Sequence, residues 1–482
     1  MAEAGRLLET YETKLDEMIV NVKIVKYVTE FVPTYLISIL NISKATNLVL
    51  KRVREDFISS LNLGKTELGG PEGVKDVEKK FKQEIKILIQ KYFPKIDDKT
   101  LRLLTTYVVQ QNIGLGNVEI LLRDPNLEEL VINSAKDPIW VYHKRHGWLK
   151  TNIYLKSEDQ IRHYSTMIGK DVGKQITVLQ PLMDAHLKTG DRVNATLNPI
   201  SSFGNTITIR KFAARPWTIT DFIKAKTTSY DGAALLWLGM QHELSILVAG
   251  GTGSGKTSML NVVANFLPPN QRVISIEDTR ELQLPDTLHW VPMETRMANP
   301  EGKGEVTMLD LVVNSLRMRP DRIIVGEIRR QKEAEVLFEA MHTGHSVYGT
   351  IHANNAKECV IRLTNPPIDI PKLMLPALNL ILVQHRNRRT GARRSLQIAE
   401  TTESGDPNVL MQLDMQKDIL VRKNKSESMM KTINLYTGMT EKELFKDLAD
   451  KKVLLKDLVK RNITDIHKIG LIFAEYYTKH LK

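Results

Sequence analysis

The sequence predicts an α/β protein whose core is a mainly parallel sheet with helices on both faces, preceded by an α+β domain. Three observations carry this reading. Beyond residue 220, short apolar runs recur at 246–249, 273–276, 323–325, 347–351 and 380–383, separated by helix-capable segments. Such alternation of strand and helix builds parallel sheets buried on both sides. The first of these runs leads directly into Gly250-Gly251-Thr252-Gly253-Ser254-Gly255-Lys256-Thr257, a G-x-x-x-x-G-K-[ST] phosphate loop set between a strand and a helix. And 482 residues exceed what one hydrophobic core usually supports, so two or three domains are expected.

Bulk composition narrows the classes. With 42% hydrophobic and 26% charged residues the chain reads as an ordinary folded protein. A formal charge of +12 favours an acidic partner, whether nucleic acid, anionic membrane surface or acidic protein, and does not choose among them. Cys359 is the only cysteine, which excludes an intrachain disulfide and a cysteine-built zinc site and fits a reducing cytoplasm. The N-terminus lacks the basic-then-apolar layout of a secretory signal. The apolar stretch 31–42 holds Pro33 and is far shorter than the roughly 20 residues that span a bilayer, so only peripheral membrane association is expected.

Residues 1–95 read as an extension of strands and helices, with helices over 51–61 and 74–92 joined by a loop rich in Gly64, Gly69, Gly70, Pro71 and Gly73. Mixed signals over 96–213 suggest an α+β domain that includes the aromatic stretch 139–143 and a strand at 206–210. Arg215-Pro216-Trp217 breaks that strand, and proline restricts both itself and its predecessor, so a hinge linker is placed at 214–220. The phosphate-loop domain follows over 221–400, and 401–482 reads as a mostly helical extension.

In the loop, glycines let backbone N–H groups converge on phosphates, and the following helix adds its positive end. Lys256 is expected to neutralise β- and γ-phosphates and Thr257 to hold Mg²⁺ through its hydroxyl. Two strands deliver acids toward the same edge: Val273-Ile274-Ser275-Ile276 ends in Glu277 and Asp278, and Arg322-Ile323-Ile324-Val325-Gly326 ends in Glu327. Either acid alone would pass for a helix cap, but two behind one phosphate loop point to chemistry. Three of the twelve histidines, His342, His345 and His352, frame a further strand. His352, at its end, is best placed to read the γ-phosphate. The segment 383–398 reads as a hairpin with five arginines near its tip, either a solvated edge or a dock for an acidic partner.

Over roughly 100–395 these motifs together resemble the type II/IV secretion ATPases, the family of type II secretion, type IV pilus and archaellum motors. Gly250 to Thr257 matches the family's Walker A loop, Ile276-Glu277-Asp278 its Asp box, 316–329 its Walker B, and 342–352 its His box. The resemblance implies a RecA-like ATPase core, ATP and Mg²⁺ as ligands, and Glu277 and Glu327 acting on water and metal, without saying which is the general base. It implies nucleotide contacts from Arg192 and Arg210 of the preceding domain and from His345 beside His352. It also implies a hexameric ring docked from the cytoplasm on a polytopic membrane platform protein. The absence of a four-cysteine zinc module makes the archaeal branch most similar. Archaellum, pilus and secretion machines stay open, as does a nucleic-acid translocase, although no nucleic-acid-binding signature appears.

Overall fold

The computed structural model describes residues 5–15, 18–39, 43–61, 71–113, 115–187, 189–212, 215–298 and 302–480. The glycine-rich loop read at 64–70 and residues 213–214, which include only the first residue of the hinge read at 214–220, lie outside them. The chain forms two compact units, Met1–Ala214 and Arg215–Lys482.

The first unit holds β1 (Gly5–Leu15), β2 (Met18–Tyr27), β3 (Thr34–Ile39), α1 (Lys44–Leu61), α2 (Pro71–Tyr92), α3 (Asp98–Ile113), α4 (Asn117–Arg123), β4 (Leu127–Ile132), β5 (Trp140–His143), β6 (Gly147–Thr151), α5 (Glu158–Asp171), β7 (Leu182–His186), β8 (Arg192–Thr196) and β9 (Thr206–Arg210). Its strands make one sheet in the order β1-β2-β3-β6-β5-β4-β9-β8-β7. The N-terminal strands therefore continue the sheet built by residues 127–210, through a parallel contact of β3 with β6. A fully buried acid locks this join. Asp124 accepts hydrogen bonds from the hydroxyls of Tyr11 (2.6 Å) on β1 and Tyr35 (2.5 Å) on β3, and from the backbone N–H of Asn126 (2.8 Å). Burying a carboxylate is tolerated where its lone pairs are satisfied in this way.

The second unit continues with α6 (Ile219–Lys224), α7 (Tyr230–Gln241), β10 (Ile246–Gly250), α8 (Lys256–Ala264), β11 (Arg272–Glu277), β12 (His289–Glu294), α9 (Met308–Leu316), β13 (Arg322–Val325), α10 (Gln331–His342), β14 (Ser346–Ile351), α11 (Ala356–Thr364), β15 (Leu380–Arg386), β16 (Arg393–Thr401), β17 (Pro407–Asp414), β18 (Ile419–Arg422), α12 (Met429–Thr437), α13 (Glu441–Lys460) and α14 (Ile466–His480). Strand order is β12-β11-β13-β14-β10-β15-β16-β17-β18. The first six are parallel, and the last three continue as an antiparallel meander.

Alternation along β10 shows why the apolar runs are unbroken. Ile246 and Val248 face a cluster with α7, α8 and the C-terminal helices, whereas Leu247 and Ala249 face one with α9, α10 and α11. Both sides are buried, so every position is apolar. The C-terminal helices belong to this core: Trp237 of α7 stacks on Phe266 (5.3 Å between ring centroids), meets Phe473 of α14 (4.5 Å), and donates its indole N–H to the Tyr477 hydroxyl (2.8 Å).

Candidate active site

All the strands that sequence reasoning picked out from residue 246 to 351 end on one edge of the parallel sheet, the edge where ligands bind in open α/β folds. β10 is flanked on both sides, by β14 and by β15. Its last residue, Gly250, has no room for a side chain: a Cβ there would lie 2.4 Å from Ser254 Oγ and 2.6 Å from the Gln384 carbonyl oxygen. Gly253 and Gly255 take φ of +70° and +88°, in the left-handed region that only glycine enters without strain. Ser254 closes the turn by donating its hydroxyl to the Gly251 carbonyl (2.8 Å), while Thr252 stays exposed at the loop's outer surface.

Lys256 opens α8 and folds back over the loop, donating to the Gly251 carbonyl (3.1 Å) and standing 3.3 Å from His352 Nδ1. Burial lowers its pKa. Thr257 sits half-buried in the same first turn.

Glu327 is set by the two strands beside it. Gly326 N–H donates to the Ile276 carbonyl of β11 (2.8 Å), and Ile328 N–H donates to the Thr350 carbonyl of β14 (2.9 Å). The intervening carboxylate is shared. Oε2 accepts from Arg329 Nη2 (2.6 Å), and Oε1 lies 3.1 Å from His352 Nε2. Arg329 also reaches Asp278 with Nη1 (2.9 Å). The Lys256 ammonium can only donate, so His352 accepts at Nδ1 and is neutral, which leaves Nε2 as the ring N–H facing the carboxylate. Burial, then the Lys256 charge, hold its pKa below the usual histidine range, consistent with that form.

Glu277 differs from Glu327. It is 2% exposed; Oε1 accepts from the N–H groups of Glu281 (2.9 Å) and Leu282 (3.1 Å), and Oε2 is buried with no hydrogen-bond partner among the described residues. Burial outweighs the two N–H donors and pushes its pKa up to about 7.

The structure thus brings together Gly250, Gly251, Gly253, Ser254, Gly255, Lys256, Glu277, Glu327 and His352. It does not bring in His345. That residue precedes the amino end of β14 and packs against the Thr343 hydroxyl (3.3 Å), about 20 Å from the strand's carboxyl end at 3.3 Å per residue. A parallel strand offers only its carboxyl end to the phosphate loop, so the earlier placement of His345 as a nucleotide ligand is corrected. Arg192 and Arg210 belong to the first unit, where they are direct cross-strand partners on one face of β8 and β9. Arg192 forms a fork with Asp184 (3.2 and 2.7 Å). Sequence reasoning gave Arg329 no role, although it lies two residues past Glu327; the available signal was a cation following acids that two adjacent strands deliver.

Residues 112–429 match the family model described as type II/IV secretion system protein. The chain belongs to this family. It is 34% identical over 389 residues to an uncharacterized protein of Methanocaldococcus jannaschii, covering 78% of this chain and 70% of that one. It is 30% identical over 308 residues to the type IV secretion system protein PtlH of Bordetella pertussis, covering 56% of this chain and 88% of the relative. Among solved structures, the Legionella pneumophila ATPase DotB aligns with a TM-score of 0.42 at 19% identity, over 74% of this chain and 94% of that one. No helix among the described residues is long and apolar enough to cross a membrane.

The raised pKa of Glu277 makes a stability prediction. Between its ordinary value near 4.5 and about 7, the unfolded chain releases this proton and the folded chain keeps it, so stability falls as pH rises through that window. The full difference is about 3 kcal/mol at 1.36 kcal/mol per unit. Glu277→Gln keeps an oxygen for both backbone donors and removes the titration. In urea unfolding of nucleotide-free protein at pH 5 and pH 7.5, wild type is expected to lose stability relative to the variant as pH rises. A constant gap between the two proteins would contradict the assignment.

Proposed function

We propose that this chain is the ATP-hydrolysing ring motor of a type IV pilus-like, archaellum-like or type II secretion-like machine, with ATP and Mg²⁺ as its ligands. The observation that carries the proposal is the chain of contacts from Lys256 through His352 and Glu327 to Arg329 and Asp278, at the mouth of a glycine loop whose first residue, Gly250, has no room for a side chain.

The residues fit the ligands. The loop offers backbone N–H groups and the α8 N-terminus to phosphates. Mg²⁺ commonly uses one or two protein oxygens beside phosphates and waters, as Thr257 and Glu327 would supply. When bound, the ion adds positive charge at the phosphate oxygens. Lys256, already desolvated, exchanges the Gly251 carbonyl for phosphate without unfolding anything. Glu277 is the better proton acceptor: its pKa stands near neutrality and one oxygen is uncommitted, as a general base needs. Glu327, held by Arg329 and His352, serves position and charge. His352, a neutral donor touching both Lys256 and Glu327, is the natural reporter of the γ-phosphate. Arg192 and Arg210 are assigned, on the family resemblance, the role of cations that answer to the γ-phosphate.

The ring and the membrane platform protein as partner are part of the same proposal. Head-to-tail contacts that close by rotation suit a motor whose subunits complete one another's sites. Light scattering with Mg²⁺ and ATP is expected to find a closed oligomer. A monomer at high concentration with full turnover would contradict it.

Substitution tests the chemistry directly. Lys256→Ala is expected to abolish phosphate release while leaving circular dichroism unchanged, since its side chain serves the loop and not the core. Glu327→Gln is expected to bind ATP yet lower turnover by about 10²- to 10³-fold, the usual scale for removing preorganised charge. Near wild-type phosphate release by Lys256→Ala refutes the site.

A further inference from the structure

The phosphate loop has two flanks, and only one is occupied by the contacts described so far. His352 and Glu327 stand on the β14 side. On the other side β15 runs hard against the start of the loop, with Gln384 in register with Gly250. Two residues later comes Arg386. Its Nη1 lies 2.9 Å from the place a Cβ on Gly253 would take, so a side chain at Gly253 would strike the guanidinium. Arg393, its direct partner across the hairpin, donates Nε–H to the Gly253 carbonyl (3.0 Å), and its Cδ lies 3.4 Å from a Cβ position on Gly255.

The five hairpin arginines are therefore sorted. Arg394 turns away into a fork with Asp418 (2.7 and 2.8 Å). Arg388 and Arg389 are exposed at the tip, where Asn387 Oδ1 accepts from the N–H groups of Arg389 and Thr390 to close the turn. Arg386 and Arg393 are half-buried and lie on the loop. They stand on a fixed base: Gln384 and Ser395 are buried and joined by a side-chain hydrogen bond (2.9 Å), and Ser395 N–H donates to the Thr227 carbonyl (2.6 Å).

We infer that Arg386 and Arg393 are nucleotide-binding residues, a second cationic wall that holds the polyphosphate chain from the β15 side, opposite Lys256 and His352. Two guanidinium groups set on Gly253 lie within reach of an anion seated in the loop, and their planar forks match phosphate oxygens. The hairpin is then part of the nucleotide site, and only its tip is a free surface. This rests on the phosphate loop being a nucleotide site, as proposed above.

The test is the affinity of the full chain for a fluorescent ADP with Mg²⁺. Arg386→Ala and Arg393→Ala are each expected to weaken binding about tenfold, the scale of one hydrogen bond to a charged group. The double variant should fall further, and its affinity should depend less steeply on salt. Arg388→Ala with Arg389→Ala should stay within about twofold of wild type, since exposed charges at that range are screened. A double Arg386/Arg393 variant that binds like wild type overturns the inference, and so does a tip variant that loses as much as the inner pair. If the alanine pair does not fold, Arg386→Gln with Arg393→Gln, which keeps length and polarity, decides by the same criterion. Lys256→Ala in the same assay separates the two levels: if it binds as tightly as wild type, the phosphate-loop reading itself fails, whatever the arginines do.

Discussion

One carboxylate, that of Glu327, ties the candidate site together. One oxygen accepts from Arg329 and the other lies 3.1 Å from His352 Nε2, whose second nitrogen meets Lys256. Three strand ends and the start of α8 thereby share one chain of polar contacts: α8 through Lys256, β14 through His352, β13 through Glu327 and Arg329, and β11 through Asp278. Lys256 can only donate to Nδ1, which fixes the His352 tautomer. Charge-assisted bonds of this kind are shorter and stronger than neutral ones, and in a partly desolvated cleft they hold side chains in one geometry.

That arrangement is possible only because the sheet beneath it is rigid and dry. β10, β13 and β14 are buried along their whole length, and two separate apolar clusters clamp their faces. The low dielectric has different effects on the two acids. Glu327 accepts from the Arg329 guanidinium on one oxygen. Glu277, reached by two backbone donors, carries the cost of burial in its raised pKa. Paired acids in contrasting environments are how one site supplies both a charge and a proton acceptor.

Much of this was legible in the sequence where local chemistry forces identity. Glycines at 250, 253 and 255 are dictated by contacts within the loop and its φ angles, so the motif could be read without the fold. The core strands were visible because burial on both faces leaves only apolar residues. β12 was not: it is an edge strand, half-buried, with Pro292 in its middle, and so presents no apolar run. His345 and His352 look alike in sequence, and only strand direction separates them. Arg329 and the division of the hairpin arginines depend on which strands lie side by side, a long-range property that spacing does not encode. The joining of β1–β3 to the first unit's sheet through Asp124 is of the same kind.

On the proposed function, Lys256 leaves its present contacts for the phosphates when nucleotide binds. A crystal structure with Mg²⁺ and a non-hydrolysable ATP analogue tests it most directly. Phosphates are expected to be cradled by residues 250–257, with Lys256 Nζ on their oxygens and parted from the Gly251 carbonyl and His352. Nucleotide bound elsewhere, or bound at the loop with Lys256 still on Gly251 and His352, would contradict it.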